Sequence, residues 1–264
     1  MRLGSLCTGY GGLDMAVEAH YGADLAWYSE IDKDCSHVLA HHWPTQPNLG
    51  DLTTIDWDQV DPVDIMCAGF PCQPFSHAGK REGENEDRAI FAYIADAVSV
   101  LRPGIVVLEN VPGILTRGGP GVVGTLTGLG YNLKWAVVRA SDAGAPHRRA
   151  RWFCVATDTD GSGRGEQRRT VTMEPEQRPA ERGSSQTHWG HYAPAIERWE
   201  RTIGRPAPAP TDDGRLSSRF VEWMMGLPEG HVCALGLSRT AELTMLGNGV
   251  CPQQASLALE VLGR

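Results

Sequence analysis

The sequence holds no apolar run near the roughly 18 residues that a membrane-spanning helix needs, and its seven cysteines form no Cys-x-x-Cys pair. The first absence excludes a helical membrane anchor. The second argues against a zinc site and, in a chain of 264 residues, against a disulfide framework, so free thiols in a reducing cytosol are expected. Lysine is scarce: Lys33, Lys80 and Lys134 are the only ones among 24 basic residues. The resulting arginine bias suits planar phosphate recognition, but a GC-rich coding genome produces the same bias, and it decides nothing about function. Positive charge is not in excess either. A formal net charge of -8 and a pI of about 5.6 exclude nucleic-acid binding by bulk charge alone. Local basic strips remain at Arg148-Arg149-Ala150-Arg151 and Arg168-Arg169. The first motif starts too early to leave room for a signal peptide, and a soluble, cytoplasmic protein is expected. With 41% apolar residues the chain has the material for a real core.

The first part alternates short β-prone runs with helical patterns. Strands are expected at residues 3–7, 25–29, 63–68, 105–108, 135–139 and 152–156. The clearest helix covers 87–101, where Ile90, Tyr93, Ile94, Ala97, Val98 and Leu101 recur at three-to-four spacing before Pro103-Gly104. This alternation implies right-handed βαβ units, a mostly parallel sheet, and binding residues at the carboxyl ends of its strands. From about 158 to 214 the chain turns rich in Gly, Arg, Glu, Ser and Pro and loses periodicity. A disordered linker and a small packed region both suit that composition. Trp189, Tyr192, Ile196 and Trp199 favour packing. Helices are expected again near 217–225 and 252–262.

The chemistry-bearing residues sit where strands end. Leu6-Cys7-Thr8-Gly9-Tyr10-Gly11-Gly12 follows a strand and opens a helix, so a ligand can approach its main-chain N–H groups. Glu30 ends the second strand, where a carboxylate holds ribose hydroxyls. The pattern suits NAD, FAD or S-adenosylmethionine, and the missing third glycine of G-x-G-x-x-G tilts it away from a dinucleotide. The third strand runs into Gly69-Phe70-Pro71-Cys72-Gln73-Pro74, which presents Cys72 between prolines, and a Gly- and charge-rich loop follows. The fourth ends in Glu109-Asn110-Val111. A carboxylate leaving an apolar strand into a cleft has a raised pKa and suits a proton donor.

Taken together, these motifs identify a resemblance to the cytosine-5 DNA methyltransferase family, of the bacterial or phage type, along nearly the whole chain. The glycine turn is similar to the family's cofactor motif, Gly69-Phe70-Pro71-Cys72-Gln73 to its nucleophile motif, and Glu109-Asn110-Val111 to its Glu-Asn-Val motif. Pro146-His147-Arg148-Arg149-Ala150-Arg151 resembles its Gln-x-Arg-x-Arg motif. The run from Arg219 to Pro228 and Gly247-Asn248-Gly249-Val250 resemble its last two blocks. The resemblance implies a Rossmann-like α/β methyltransferase domain with a mostly parallel sheet. That catalytic domain would span 1–157, followed by a target-recognition region at 158–214 and a C-terminal part at 215–264 whose last helix completes it. It implies Cys72, Glu109, Arg149 and Arg151 as catalytic residues. For S-adenosylmethionine it implies Cys7, Gly9, Tyr10, Gly11 and Gly12, with Glu30 on the ribose and Ile31, Asp51 and Leu52 about the adenine. Pro71, Asn248 and Gly249 complete the set, Asn248 at the methionine end. No metal is implied. The implied partner is duplex DNA, with a restriction nuclease acting separately, and the chain is expected to be a monomer. Three positions depart from the family: Cys7 where Phe is usual, no Trp near Ile31, and His147 where Gln is usual. The first two weaken stacking on the adenine, and the third leaves the role of His147 open.

The residue types fit such a reaction. Carbon 5 of cytosine is a poor nucleophile until a thiolate adds at C6, and cysteine both attacks and leaves well. Glu109 would stabilise the ring at N3 and its amine. Arg149 and Arg151 would hold an extruded nucleotide and its phosphate. The same chemistry acts on transfer RNA, and a third possibility is an inactive DNA-binding module. Specificity is expected from 158–214, where Arg164, Arg168, Arg169, Arg178 and Arg182 suit guanine and Gln167, Gln177 and Gln186 suit adenine, reading about four base pairs.

Overall fold

The computed structural model describes residues 1–71, 83–159 and 189–263, and of residues 83–89 the backbone alone. Cys72, the loop after it and the arginines and glutamines between 164 and 186 lie outside the described residues. In chain order the elements are β1 (Arg2–Leu6), α1 (Gly12–Tyr21), β2 (Asp24–Ser29), α2 (Lys33–His42), β3 (Ile65–Gly69), α3 (Gly83–Leu101) and β4 (Ile105–Asn110). There follow α4 (Ile114–Arg117), α5 (Gly119–Gly128), β5 (Tyr131–Arg139), β6 (Ala150–Asp158) and α6 (Ala193–Ile203). A short hairpin, β7 (Thr211–Asp212) and β8 (Arg215–Leu216), precedes α7 (Ser218–Met224), α8 (Arg239–Asn248) and α9 (Pro252–Leu262).

Six strands form one sheet in the order β2-β1-β3-β4-β6-β5. β2, β1, β3 and β4 pair in parallel, as their helical crossovers require. β6 lies antiparallel to both β4 and β5. The sequence reading gives no sign of this reversal, but its cause is local. Only residues 140–149 separate β5 from β6, with a single 3-10 turn at Ala140–Ala143, too little for a crossover helix.

Alternation along the strands divides the core. Leu6, Met66, Ala68, Val106, Leu108, Trp152 and Cys154 meet Ile94, Ala97 and Val98 of α3 and Val122 and Leu126 of α5 on one face. On the other, Leu3, Ile65, Cys67, Val107, Phe153 and Val155 meet Leu13 and Val17 of α1, Leu39 of α2, and Ala255, Ala258 and Leu259 of α9. Helix α3 begins earlier than its pattern suggests, and its Tyr93 stands 38% exposed, off the buried stripe.

A third cluster joins the C-terminal helices to the N-terminal turn. Ile196 and Trp199 of α6, Phe220 and Trp223 of α7, Met245 and Leu246 of α8 and Tyr10 are buried together. Trp199 Nε1 donates to the Trp223 carbonyl at 2.8 Å. This is the packing that the aromatic spacing after residue 189 suggested. Glu222, 1% exposed, accepts from the N–H groups of Gly230, Val232 and Cys233 at 2.7, 2.7 and 2.9 Å. That fixes the loop after α7, from which buried His231 donates to the Tyr10 carbonyl at 2.8 Å.

Replacing Glu222 by Gln leaves one oxygen for three buried or part-buried donors, and should lower unfolding free energy by about 2–3 kcal/mol in urea titration. A change under about 0.5 kcal/mol would remove Glu222 from this role.

Candidate active site

β1 lies between β2 and β3, so the connections from it diverge, and a crevice opens at the carboxyl ends of these strands. A cleft of about 1050 Å³ occupies it. Its floor is the turn after β1. Cys7 and Gly9 there have φ of 52° and 61°, and a Cβ on Gly9 would meet nothing within 4 Å. The Gly9 main chain therefore faces open space. Its N–H donates to Glu30 Oε2 at 2.8 Å, while the Asp32 N–H donates to Oε1 at 2.8 Å. Asn48 holds the Glu30 backbone from both sides, accepting from its N–H at 3.1 Å and donating to its carbonyl at 3.0 Å. Burial raises the Glu30 pKa above the usual carboxylate value, and the bonds from Asp32 and Gly9 oppose it. Each oxygen of this fixed carboxylate keeps a lone pair for a ligand hydroxyl.

Ile31 stands 71% exposed beside it, a bare apolar surface on the cleft. Asp51 and Leu52 line the same end. Asp51 Oδ1 accepts from the Thr53 N–H and hydroxyl at 2.9 and 2.8 Å, which holds its carboxyl below the usual range. The Cys7 thiol packs against the core under the cleft, and burial pushes its pKa to about 12. Thus Cys7, Gly9, Gly12, Glu30, Ile31, Asp51, Leu52 and Pro71 line one cavity. Tyr10 and Gly11 stand apart from it. Tyr10 is fully buried, its hydroxyl donating to the Val250 carbonyl at 2.7 Å, and a Cβ on Gly11 would strike the Trp43 ring at 2.5 Å. Both shape the turn from behind.

The facing wall is α8 and the turn after it. Asn248 and Gly249 line the cleft, joined by Ser238, Thr240 and Thr244, which the motif reading missed. The signal was there: Ser238 is the N-cap of α8, accepting from the Ala241 N–H at 3.2 Å, and Thr240 and Thr244 sit four apart on one face. Asp14 was also missed. It is 1% exposed beneath the turn, accepts from the Cys67 thiol at 3.6 Å, and burial raises its pKa to about 6.

At the other end of the cleft, Gly69 and Glu109 are register partners on β3 and β4. Glu109 is 6% exposed, and Arg151 Nε lies 3.0 Å from its Oε1. Burial drives the Glu109 pKa to about 7 although Arg151 and Arg149 pull it down. Next to it, Asn110 Nδ2 donates to the Phe70 carbonyl at 3.1 Å, and Asn110 Oδ1 accepts from the Val111 N–H at 2.8 Å. The exits of β3 and β4 are thereby tied together two residues before Cys72, which itself lies outside the described residues.

The arginine motif separates. Arg151 lines the cleft and holds Glu109. The Arg149 guanidinium instead turns to the end of α8 and donates to the carbonyls of Gly247, Asn248 and Gly249 at 2.8, 3.3 and 2.6 Å. This differs from the expected position on a nucleotide, because those carbonyls end a helix and have no partners within it. His147 donates through Nε2 to the Met224 carbonyl at 3.0 Å, which ties the motif to α7. Among the described residues no group of three or more His, Cys, Asp or Glu is set to hold a metal ion, and no helix is long and apolar enough to cross a membrane.

The cleft suits S-adenosylmethionine. Glu30 offers a fixed carboxylate, Ile31 an exposed apolar surface and Gly9 an open backbone. Comparisons with known proteins agree with this geometry. The family model for C-5 cytosine-specific DNA methylase matches residues 1–189. The Type II methyltransferase M.MspI of Moraxella sp is 34% identical over 157 residues, covering 57% of this chain and 37% of that protein. M.HhaI of Haemophilus parahaemolyticus is 32% identical over 165 residues, 61% of this chain and 50% of that one. The match thus spans half or less of these relatives' length. In overall fold, the Spodoptera frugiperda DNMT2 crystal structure superposes with a TM-score of 0.69 at 15% identity, each chain covered fully. The chain belongs to the C-5 cytosine-specific DNA methylase family.

Since Arg151 lowers the Glu109 pKa, Arg151→Gln should raise it above about 7. Carboxyl ¹³C NMR titration against a Glu109→Gln reference reads this directly. An unchanged value would mean that the ion pair does not set the acidity.

Proposed function

We propose that this chain transfers a methyl group from S-adenosylmethionine to C5 of a cytosine extruded from a short duplex DNA sequence, through a covalent Cys72 adduct. The observation that carries the reading is Glu109. It is a buried carboxylate near neutrality, paired with Arg151 at the rim of a cleft whose far end holds Glu30, and set opposite Gly69 just before Cys72. Relatives named as Type II methyltransferases favour DNA over transfer RNA.

When bound, S-adenosylmethionine supplies the methyl group that C5 receives. Glu30 holds its ribose, Ile31, Asp51 and Leu52 its adenine, and Asn248 its methionine end. The Cys72 sulfur bonds to C6 of the base, and the C5–C6 π electrons shift into the ring. Protonated Glu109 donates to N3 and stabilises that charge. Arg151 keeps the carboxyl oriented and lies against the base and its phosphate. After C5 is methylated, its proton is lost to a base, the electrons restore the double bond, the sulfur leaves as thiolate, and N3 returns its proton to Glu109. A base inside a duplex cannot be reached this way, so it is extruded. Residues 158–214 read the flanking pairs, and any nuclease partner acts separately.

A duplex carrying 5-fluorocytosine should form a denaturation-resistant adduct, because fluorine cannot leave as a proton. Cys72→Ser should form none and transfer no methyl groups while still binding S-adenosylmethionine. Methyl transfer to transfer RNA but not to duplex DNA would overturn the choice of substrate. Adduct formation by the serine variant would overturn the nucleophile.

Single-turnover methylation should fall as pH rises through about 7, since only protonated Glu109 donates. Glu109→Gln should cost about 10²–10⁴-fold and abolish that limb of the profile. A persistent limb in the variant would assign it to another group.

A further inference from the structure

We propose that Arg149 is a positioning residue for the cofactor-binding turn, residues 247–250, and takes no part in holding the nucleotide. The inference rests on the reading of the cleft given above and separates the roles of two arginines at the start of β6.

Four consecutive carbonyls are held from behind the cleft by two side chains. Arg149 Nη1 takes that of Gly247, Nη2 those of Asn248 and Gly249, and the Tyr10 hydroxyl takes that of Val250 at 2.7 Å. Residues 247–250 all line the cleft. With their carbonyls fixed on the far side, and the Gly249 N–H bonded to the Met245 carbonyl at 3.0 Å, the Asn248 side chain is left to the ligand. Helix α8 cannot do this alone, since its last carbonyls lack partners, and a cation at that end also meets the negative pole of the helix. The arginine itself is anchored, because Gln254 Nε2 of α9 donates to its carbonyl and to that of Val138, both at 2.8 Å.

Space behind the turn is fully used as well. A Cβ on Gly249 would fall 1.9 Å from the Tyr10 ring, and one on Gly12 would fall 2.2 Å from the Val250 oxygen. The turn therefore cannot settle lower if the guanidinium is lost. It can only swing away, and Asn248 with it. Two residues on, Arg151 faces Glu109 instead. The entry to β6 thus sets the cofactor turn with Arg149, just before the strand, and the proton donor with Arg151 within it.

The test uses the full chain without DNA. Calorimetry compares S-adenosylmethionine with 5′-methylthioadenosine, which carries the adenosine part but no amino-acid end. Arg149→Lys keeps the charge but loses the fork. Both it and Arg149→Ala should weaken S-adenosylmethionine about tenfold or more, and 5′-methylthioadenosine by less than about twofold. Tyr10→Phe should give the same ligand pattern with a smaller loss. Binding of a fluorescent duplex should stay within about threefold, and KM for the cofactor should rise while kcat at saturation is largely kept. Unchanged cofactor binding with weakened duplex binding would overturn the proposal and return Arg149 to the nucleotide. Equal losses for both ligands, with lowered melting, would reduce it to fold support. If Arg149→Ala fails to fold, Arg149→Lys and Tyr10→Phe decide. A wild-type chain that binds neither ligand would refute the cleft reading itself, a result distinguishable from the others.

Discussion

The site depends on one close approach between segments far apart in sequence. The turn after β1 and the turn after α8 touch with no room for a side chain at Gly12 or Gly249. Tyr10 fills the junction, bonded to Val250 through its hydroxyl and to His231 through its carbonyl. Behind it α1 and α9 share one apolar cluster, which brings the last helix against the first. The cleft exists because these two turns form opposite sides of it. A methyl or larger group at either glycine would push them apart, and ligand geometry would change before the sheet did.

The acidity of Glu109 follows from a balance. Burial alone penalises its charged form, while a guanidinium beside it favours that form. Neither wins outright, and the carboxyl sits near neutrality. A buried ion pair of this sort is a poor way to stabilise a fold, because desolvation consumes much of the attraction. In the proposed reaction its value is chemical: a carboxyl able both to keep and to give a proton at neutral pH, held in a fixed direction by Arg151. Asn110, the next residue, locks the exits of the two strands to each other, so the acid and the segment leading to Cys72 leave the sheet as one unit.

Much of this was legible in the sequence. The glycine turn, Glu30 and Glu109 mark strand ends, and strand ends of a parallel sheet converge. The stripe at Ile90, Ile94, Ala97 and Val98 foretold α3 because periodicity reports burial directly. What the sequence did not disclose was direction. Tyr10 and Gly11 belong to the turn but face its back, a distinction that spacing along a loop does not encode. Arg149 and Arg151 are two apart at the start of β6, Arg149 just before the strand and Arg151 within it, yet their long side chains part toward different partners. The antiparallel entry of β6 depends on the missing crossover between 140 and 149, which is visible only when loop length is weighed against strand direction. The α8 threonines belong to no motif, and only their four-residue spacing on one helix face marks them.

The central claim is that the two halves of the cleft serve cytosine methylation in DNA. Bisulfite sequencing of genomic DNA from cells expressing the wild-type chain, against cells lacking it, tests this most directly. The account predicts cytosines protected from conversion at every copy of one short sequence and nowhere else. Complete conversion of the DNA, with the folded protein present and S-adenosylmethionine supplied, would contradict it.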